Sequence, residues 1–234
     1  MSPNVLRVYI GYDPRQSIAY NVLQHSISIR SKKPCAITPL VIETLPIKKE
    51  GLTPFTYSRF LVPWLTGFKG WALFLDADIL VLDDVGKLFA LADDKYAAMV
   101  SKNPLKFEWA SVILYNCAHP ANAILTPEYI EYQKTTTWLD WLPEELVGDL
   151  PREWNHLVGY DAPRDDAKLV HFTQGIPCHP EVAGCEYSEA WITDYRFTFM
   201  TLPWGKVMGQ SVHATTQADG TLIAKLRKAK RDAA

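Results

Sequence analysis

The chain has 234 residues, of which 48% are hydrophobic and 21% are charged, and its formal net charge is −2. This apolar content and low net charge exclude a disordered chain, and the length suits one large globular domain. A sequence pI near 6.3 lacks the basic excess of a nucleic-acid-binding domain, so we expect no nucleic-acid partner.

The charge is unevenly distributed along the chain. Residues 225–234 carry five basic side chains and one aspartate, a net of +4, so the preceding 224 residues sum to −6. We therefore expect a domain over 1–224 and a short basic tail over 225–234, which is either a solvated terminus or a weak contact with an anionic membrane surface. With no apolar run of membrane-spanning length, no signal peptide and four widely spaced cysteines, the sequence predicts a cytoplasmic protein.

The predicted elements begin as strand, helix and strand. An apolar, β-branched run at 5–10 stops at Gly11, apolar residues recur at helical spacing over 17–29, and a second strand follows at 36–42. Further helices are predicted at 54–66, 85–91, 127–134 and 190–199, and further strands at 71–75, 79–82, 111–116 and 168–172. This order predicts a single α/β domain of Rossmann-like type, with a mixed central sheet flanked by helices.

Two carboxylates interrupt the most hydrophobic part of the chain. The continuous apolar run at 71–75 is typical of a central strand covered on both faces, and it ends in Asp76-Ala77-Asp78. In an extended segment, residues two apart point to the same side, so both carboxylates would face one spot. A divalent cation would remove their repulsion, and oxygen ligands suit Mg²⁺ or Mn²⁺. The alternative is a turn in which each aspartate caps backbone amides.

At this segment the sequence resembles a known family. Residues 73–81, Leu-Phe-Leu-Asp-Ala-Asp-Ile-Leu-Val, resemble the Asp-x-Asp strand of GT-A glycosyltransferases and are most similar to glycosyltransferase family eight, the group that contains glycogenin. The resemblance covers roughly residues 5–180 in the family's order. It implies a GT-A fold and a retaining, metal-dependent transfer of a sugar from a nucleotide sugar, most often a uridine one, to a glycan, lipid-linked or protein acceptor.

The resemblance also implies site residues. Residues 8–13, Val-Tyr-Ile-Gly-Tyr-Asp, resemble the opening nucleotide-binding strand, and Leu-Val-His-Phe at 169–172 resembles the late strand whose histidine is the third metal ligand. Thr-Tyr-Ser-Arg-Phe at 56–60 is similar to the segment whose arginine approaches the donor, and the strand at 111–116 resembles the family's strand that ends in an asparagine near the donor sugar. The implied donor-binding residues are Gly11, Tyr12, Asp13, Tyr57, Arg59, Asn116 and Gly175. The implied metal ligands, for Mn²⁺ or Mg²⁺, are Asp76, Asp78 and His171.

The chain departs from the family pattern at two places. His171 is followed by Phe-Thr-Gln-Gly, one residue longer than the family's His-x-x-Gly, and no lysine follows there. Asp140 stands at about the place of the family's Asp-Gln pair but lacks the glutamine. We take Asp76, Asp78, Arg59 and Asp140 as the candidate catalytic residues.

These departures keep two alternatives open: a nucleotide-sugar-binding protein of the same fold with impaired catalysis, and a sugar-phosphate nucleotidyltransferase. The second ranks lower, because a nucleotidyltransferase normally has a glycine-rich, basic phosphate loop after the first strand, and this loop has only one glycine and one basic residue.

Cys178, His179 and Cys185, together with His171, could instead hold zinc, although their spacing lacks the usual Cys-x2-4-Cys pair.

Overall fold

A six-stranded mixed sheet forms the centre of the protein in the computed structural model, which describes residues 5–132 and 139–199. The strands are β1 Leu6–Gly11, β2 Cys35–Leu40, β3 Trp71–Leu75, β4 Ile79–Val81, β5 Ala98–Val100, β6 Val112–Asn116, β7 Val147–Asp149, β8 His156–Leu157 and β9 Leu169–His171. The helices are α1 Ser17–Arg30, α2 Val62–Leu65, α3 Val85–Phe89, α4 Pro127–Tyr132 and α5 Ser188–Phe199.

The large sheet has the order β2-β1-β3-β6-β5-β7. β1 lies parallel to both β2 and β3, whereas β6 runs antiparallel to β3 and to β5, and β7 is parallel to β5. The carboxyl ends of β1, β3, β5 and β7 therefore meet the amino end of β6 at one edge. The predicted α/β fold with a mixed central sheet is confirmed.

The chain leaves the large sheet at the end of β3 and enters a second sheet. This smaller sheet has the order β4-β9-β8, and β4 pairs antiparallel with β9 so that Ile79 lies opposite His171. The backbone N–H of Phe172 donates to the carbonyl of Asp78 at 3.0 Å. Residues 76–78 are therefore the link between the two sheets.

Buried apolar side chains hold this link in place. Leu73, Phe74 and Leu75 of β3 are fully buried, and complete burial of each such side chain contributes about 1.5–3 kcal/mol. Helix α1 is tied to β4 by the buried Ser26, whose hydroxyl donates to the Leu23 carbonyl and accepts from the Val81 N–H at 3.2 Å. The sequence predicts these strands well, because a strand buried on both faces is apolar at every position and does not alternate between apolar and polar residues.

The remaining predicted elements differ from the structure in detail. The predicted helix at 54–66 is a 3₁₀ turn, Ser58–Leu61, followed by the single turn of α2, since Pro63 can occupy only the first turn of a helix. The sequence analysis missed β5, β7 and β8, which have only two or three residues each. The predicted boundary at 224/225 and the basic tail lie outside the described residues. None of the described helices is long and apolar enough to cross a membrane.

Candidate metal centre

Three of the predicted site residues come together at the carboxyl end of β3. Asp76, Asp78 and His171 each offer one ligand atom, and these atoms lie within 4.8 Å of one another. Asp76 and His171 are only 7% and 2% exposed, whereas Asp78 is partly open to solvent. The pairing of β4 with β9 brings His171 to the aspartates, although it is more than ninety residues away in sequence. Among the residues that the structure describes, this is the one group that could hold a metal ion.

The polar atoms of this triad lack hydrogen-bond partners. Asp78 Oδ1 lies 3.2 Å from His171 Nε2, yet neither this oxygen nor Asp76 Oδ1 accepts a hydrogen bond of good geometry, and the buried His171 Nδ1 has no partner either. A buried polar atom without a partner costs about 1–3 kcal/mol. Two carboxylate oxygens without a hydrogen bond of good geometry, close to the imidazole of His171, fit a divalent metal ion.

Burial has a strong effect on Asp76. Desolvation raises the pKa of its carboxyl to about 7, and the negative charge of Asp78 adds to that rise, whereas the Arg59 guanidinium opposes it. Arg59 therefore offsets only part of the cost of burying this carboxylate, and a bound cation would favour the ionised form further.

The surroundings of His171 raise the pKa of its imidazole, which favours the protonated form when no metal is bound. Burial by itself would lower the pKa of the imidazole, but the negative charges of Asp78, Glu108 and Asp76 outweigh burial and raise the pKa to about 9. A protonated His171 can therefore neutralise part of the carboxylate charge when no metal is bound, and a metal ion must displace that proton.

Arg59 is the fixed counter-ion of the site. Its Nη2 lies 3.1 Å from Asp76 Oδ1, and its Nη1 donates to the Ala110 carbonyl at 2.7 Å. The guanidinium also lies over the rings of Phe74 and Phe55, at 5.2 and 5.6 Å from their centroids. Arg59 therefore lies beside Asp76 in the cleft, and its expected contact with the donor stays a prediction.

The triad opens into a cleft of about 350 Å³. Besides the triad and Arg59, its lining residues are Leu52, Thr53, Phe55, Thr56, Lys106, Phe107, Glu108, Trp109, Ala110 and Thr173. The sequence analysis did not identify Lys106 or Glu108, which lie in the loop between β5 and β6. Their place in the cleft follows from strand direction. Because β6 runs antiparallel to β3, the amino end of β6, and with it the loop that precedes this strand, lies beside Asp76.

The same strand direction corrects the placement of Asn116. In the register of β3 with β6, Leu75 lies opposite Val112 and Trp71 lies opposite Asn116. Asn116 is therefore at the far end of β3 from Asp76 and does not line the cleft, and the expectation that it lies near the donor sugar is wrong in position.

The predicted nucleotide-binding residues lie at the end of β1, parallel to β3. Asp13 is buried and pairs with Arg15, whose Nη2 lies 2.6 Å from Asp13 Oδ2, and this hydrogen-bonded pairing lowers the pKa of the Asp13 carboxyl. Asp13 also caps a 3₁₀ turn and lines a second cleft of about 310 Å³, which shares Leu52 and Thr53 with the first. Asp13 thus serves as a cap and also lines a cavity beside the metal centre.

Gly11 and Tyr12 make contacts within the protein. A Cβ atom at Gly11 would overlap the ring of Phe55, so the side chain that approaches this glycine closely is the protein's own. The Tyr12 ring packs edge-on against Tyr20, with 5.7 Å between centroids. Neither residue lines the cleft of the triad.

The other predicted residues lie outside that cleft. Tyr57 is half-buried, with the Lys49 ammonium 4.2 Å from its ring centroid, and Asp140 is exposed. Gly175 has a φ of +119° in the turn after β9, where its N–H donates to Phe172. The predicted catalytic role of Asp140 has no support in this position, because its carboxylate faces solvent.

The cysteines do not form a second centre. All four are free thiols, and Cys178 is exposed whereas Cys185 is half-buried. Within the described ranges, no metal-holding group includes Cys178, His179 or Cys185.

Solved structures share this fold at low sequence identity. The galactosyltransferase LgtC, in complex with donor and acceptor sugar analogs, matches 85% of this chain and 98% of its own at 14% identity, with a TM-score of 0.57. The apo-form glycosyltransferase GlyE of Streptococcus pneumoniae matches 96% of this chain with a TM-score of 0.63, and the bifunctional glycosyltransferase WbbM matches 86% with 0.62, each at 14% identity. The chain spans 63% of the GlyE structure and half of the WbbM structure.

Sequence relatives place the chain in a family. No protein-family model matches the sequence. Protein CDI of Arabidopsis thaliana is 37% identical in a match that covers 80% of this chain and 85% of that protein. The chain has the GT-A glycosyltransferase fold and belongs to the same family as Protein CDI of Arabidopsis thaliana.

Proposed function

We propose that the protein is a metal-dependent glycosyltransferase that transfers a sugar from a uridine diphosphate sugar to an acceptor, with retention at the anomeric carbon. The observation that carries this proposal is the grouping of ligand atoms from Asp76, Asp78 and His171 in a cleft at the carboxyl end of β3. Open α/β sheets bind ligands at this end of their strands. The uridine donor and the retention are supported by the resemblance to family eight.

The metal would be held by two carboxylate oxygens and one imidazole nitrogen. Such a mixed set favours Mn²⁺ over Mg²⁺, because Mg²⁺ prefers oxygen ligands alone. When bound, the ion supplies Lewis-acid stabilisation of the departing diphosphate. Arg59 favours the ionised form of Asp76 at this place, and its guanidinium is itself fixed by the Ala110 carbonyl.

Lys106 supplies a second positive charge to the phosphates. Its ammonium lies 5.1 Å from the Trp109 ring centroid and 3.7 Å from the exposed Glu144, so it can leave this weak surface pair at low cost. No lysine follows His171 between residues 172 and 199. Lys106 therefore supplies the positive charge for the phosphates that a lysine in the loop after His171 would otherwise supply.

The metal and donor requirements can be tested without knowing the acceptor. We would titrate the protein with uridine diphosphate by calorimetry, with and without Mn²⁺, and repeat the titration for Asp76→Asn and Asp78→Asn. Glu145→Gln is the matched control, because it removes one exposed negative charge. Metal-dependent binding that is lost in both aspartate variants and kept in the control is the expected result. Binding that ignores the metal would refute the proposal.

A nucleotide-sugar-binding protein without turnover is the second candidate. The exposed position of Asp140, away from the cleft, favours it over the remaining alternatives. Slow metal-dependent hydrolysis of a panel of nucleotide sugars would distinguish the two, because only a transferase cleaves its donor. Release of pyrophosphate from a nucleoside triphosphate and a sugar phosphate would instead indicate a nucleotidyltransferase.

A further inference from the structure

The backbone of Glu108 has a conformation that a glutamate rarely adopts. Its φ of 56° and ψ of 25° lie in the left-handed region, where the Cβ atom approaches the carbonyl oxygen and each such residue costs roughly 1–2 kcal/mol. Residues held in such conformations cluster at functional sites, where the surrounding structure keeps them in place.

Three hydrogen bonds keep Glu108 in this conformation. Its carbonyl oxygen accepts from Ser111 Oγ at 2.6 Å, from the Ser111 N–H at 3.3 Å and from Asn155 Nδ2 at 3.1 Å. Asn155 is fully buried, and its Nδ2 also donates to Ser111 Oγ at 3.1 Å. A buried amide from a different part of the chain is therefore used to hold one loop residue.

The other end of the loop is braced in a similar way. Asn103 Oδ1 accepts from the N–H groups of Leu105 and Phe107, at 3.1 and 2.9 Å, and Asn103 Nδ2 donates to the Phe107 carbonyl at 2.6 Å. The segment before Glu108 is thus a fixed turn, and the direction of the glutamate side chain is set by its backbone.

The Glu108 side chain lines the cleft of the metal triad. Within the part of the chain that the structure describes, its carboxylate has no hydrogen bond and no ion pair. It is the third carboxylate in a cleft that already holds Asp76 and Asp78, whose buried oxygens lack hydrogen-bond partners. Arg59, 3.1 Å from Asp76, offsets one of these three negative charges, and a bound divalent cation would stabilise the carboxylates further.

We infer that Glu108 is a further carboxylate of the cation site, which acts on the bound divalent ion through one of the ion's water ligands. The carboxylate does not belong to the group of ligand atoms within 4.8 Å of one another, and Mg²⁺ and Mn²⁺ sites commonly retain water. Asn155 and Asn103 are positioning residues for Glu108. The inference rests on the proposed metal site, and it adds to that site a residue from the loop between β5 and β6.

Metal affinity in the absence of donor is the decisive measurement. We would titrate Mn²⁺ into the full-length protein and into Glu108→Gln, with Glu145→Gln as the charge-matched control. We expect Glu108→Gln to weaken Mn²⁺ binding about tenfold, as for other residues that hold a metal's ligands, and the control to bind as the wild type does. The thermal midpoint of metal-free Glu108→Gln should stay close to that of the wild type, because glutamine keeps the size of the side chain.

A second variant guards against a folding defect. Glu108→Gly removes the carboxylate and suits the left-handed backbone, so it should be more stable than the wild type without metal and still bind Mn²⁺ weakly. Wild-type affinity in both variants, or an equal loss in the Glu145→Gln control, would overturn the inference while the proposed function stands. If the wild-type protein itself bound no Mn²⁺, the proposed metal site and this inference would both be wrong.

Discussion

The protonation of the triad predicts how metal binding depends on pH. His171, with a pKa of about 9, is protonated at pH 7, and Asp76, with a pKa of about 7, is half protonated. A metal ion binds only the deprotonated forms, so binding releases these protons and strengthens as the pH rises. Between pH 7 and pH 8, deprotonation of His171 contributes roughly a factor of ten and that of Asp76 about a factor of two. We expect Mn²⁺ affinity to increase on the order of tenfold to twentyfold.

The metal-free protein should respond to pH in the opposite direction. The pKa of His171 is raised above its ordinary 6.5, so its contribution to stability is present below pH 6.5 and is lost as the pH rises through 9. The pKa of Asp76 is raised from 3.8, so folding favours its protonated form and stability falls between about pH 4 and pH 7. Metal-free stability should therefore fall between pH 6.5 and 9, while the stabilisation by Mn²⁺ grows.

Calorimetry at several pH values tests both parts. Mn²⁺ titrations at pH 7.0, 7.5 and 8.0, each in two buffers of different ionisation enthalpy, report the affinity and the number of protons released. Replacing the histidine, as in His171→Ala, should weaken binding and remove most of the pH dependence. An affinity that stays constant from pH 7 to pH 8, with no proton release, would refute this account of the triad.

Three further substitutions test the packing around the site. Arg59→Met leaves Asp76 without its cation and should destabilise the protein by about 3–5 kcal/mol in urea denaturation, with a larger loss at pH 8 than at pH 6. Gly11→Ala should cost about 1–3 kcal/mol because the new Cβ overlaps the Phe55 ring, and combining it with Phe55→Leu should recover part of that loss in a double-mutant cycle. Asn116→Ala, far from the triad along β3, should leave Mn²⁺ affinity within about twofold of the wild type, and a tenfold loss would contradict its placement.

The sequence is most informative where local chemistry and local structure agree. The buried run of β3 and the aspartates that follow it could be identified together, because a continuous apolar strand and two carboxylates in its continuation leave few structural alternatives. His171 required more than local pattern: a histidine in an apolar strand is ambiguous, and only the ordered resemblance indicated that it meets Asp76 and Asp78. The structure adds the pairing of β4 with β9 that brings it there.

The misplacement of Asn116 and the omission of Glu108 share one physical cause, which is strand direction. Asn116 and Glu108 flank β6 at its two ends, and whether a strand runs parallel or antiparallel to its neighbour decides which end reaches the site. A single strand does not carry that information, because its direction depends on the crossover connections and on packing against the other strands.

The apolar pattern by itself predicted an α/β fold, and the Asp-Ala-Asp segment predicted where a cation could bind. Only the tertiary structure decided that His171 completes the group, that Arg59 neutralises Asp76, and that the loop before β6 supplies Lys106 and Glu108 to the same cleft. The acidic charge that the composition shows for residues 1–224 is thus partly concentrated at a single cleft. Hydrophobic periodicity is a local property of the chain, whereas the distance between two charges is set by the fold as a whole.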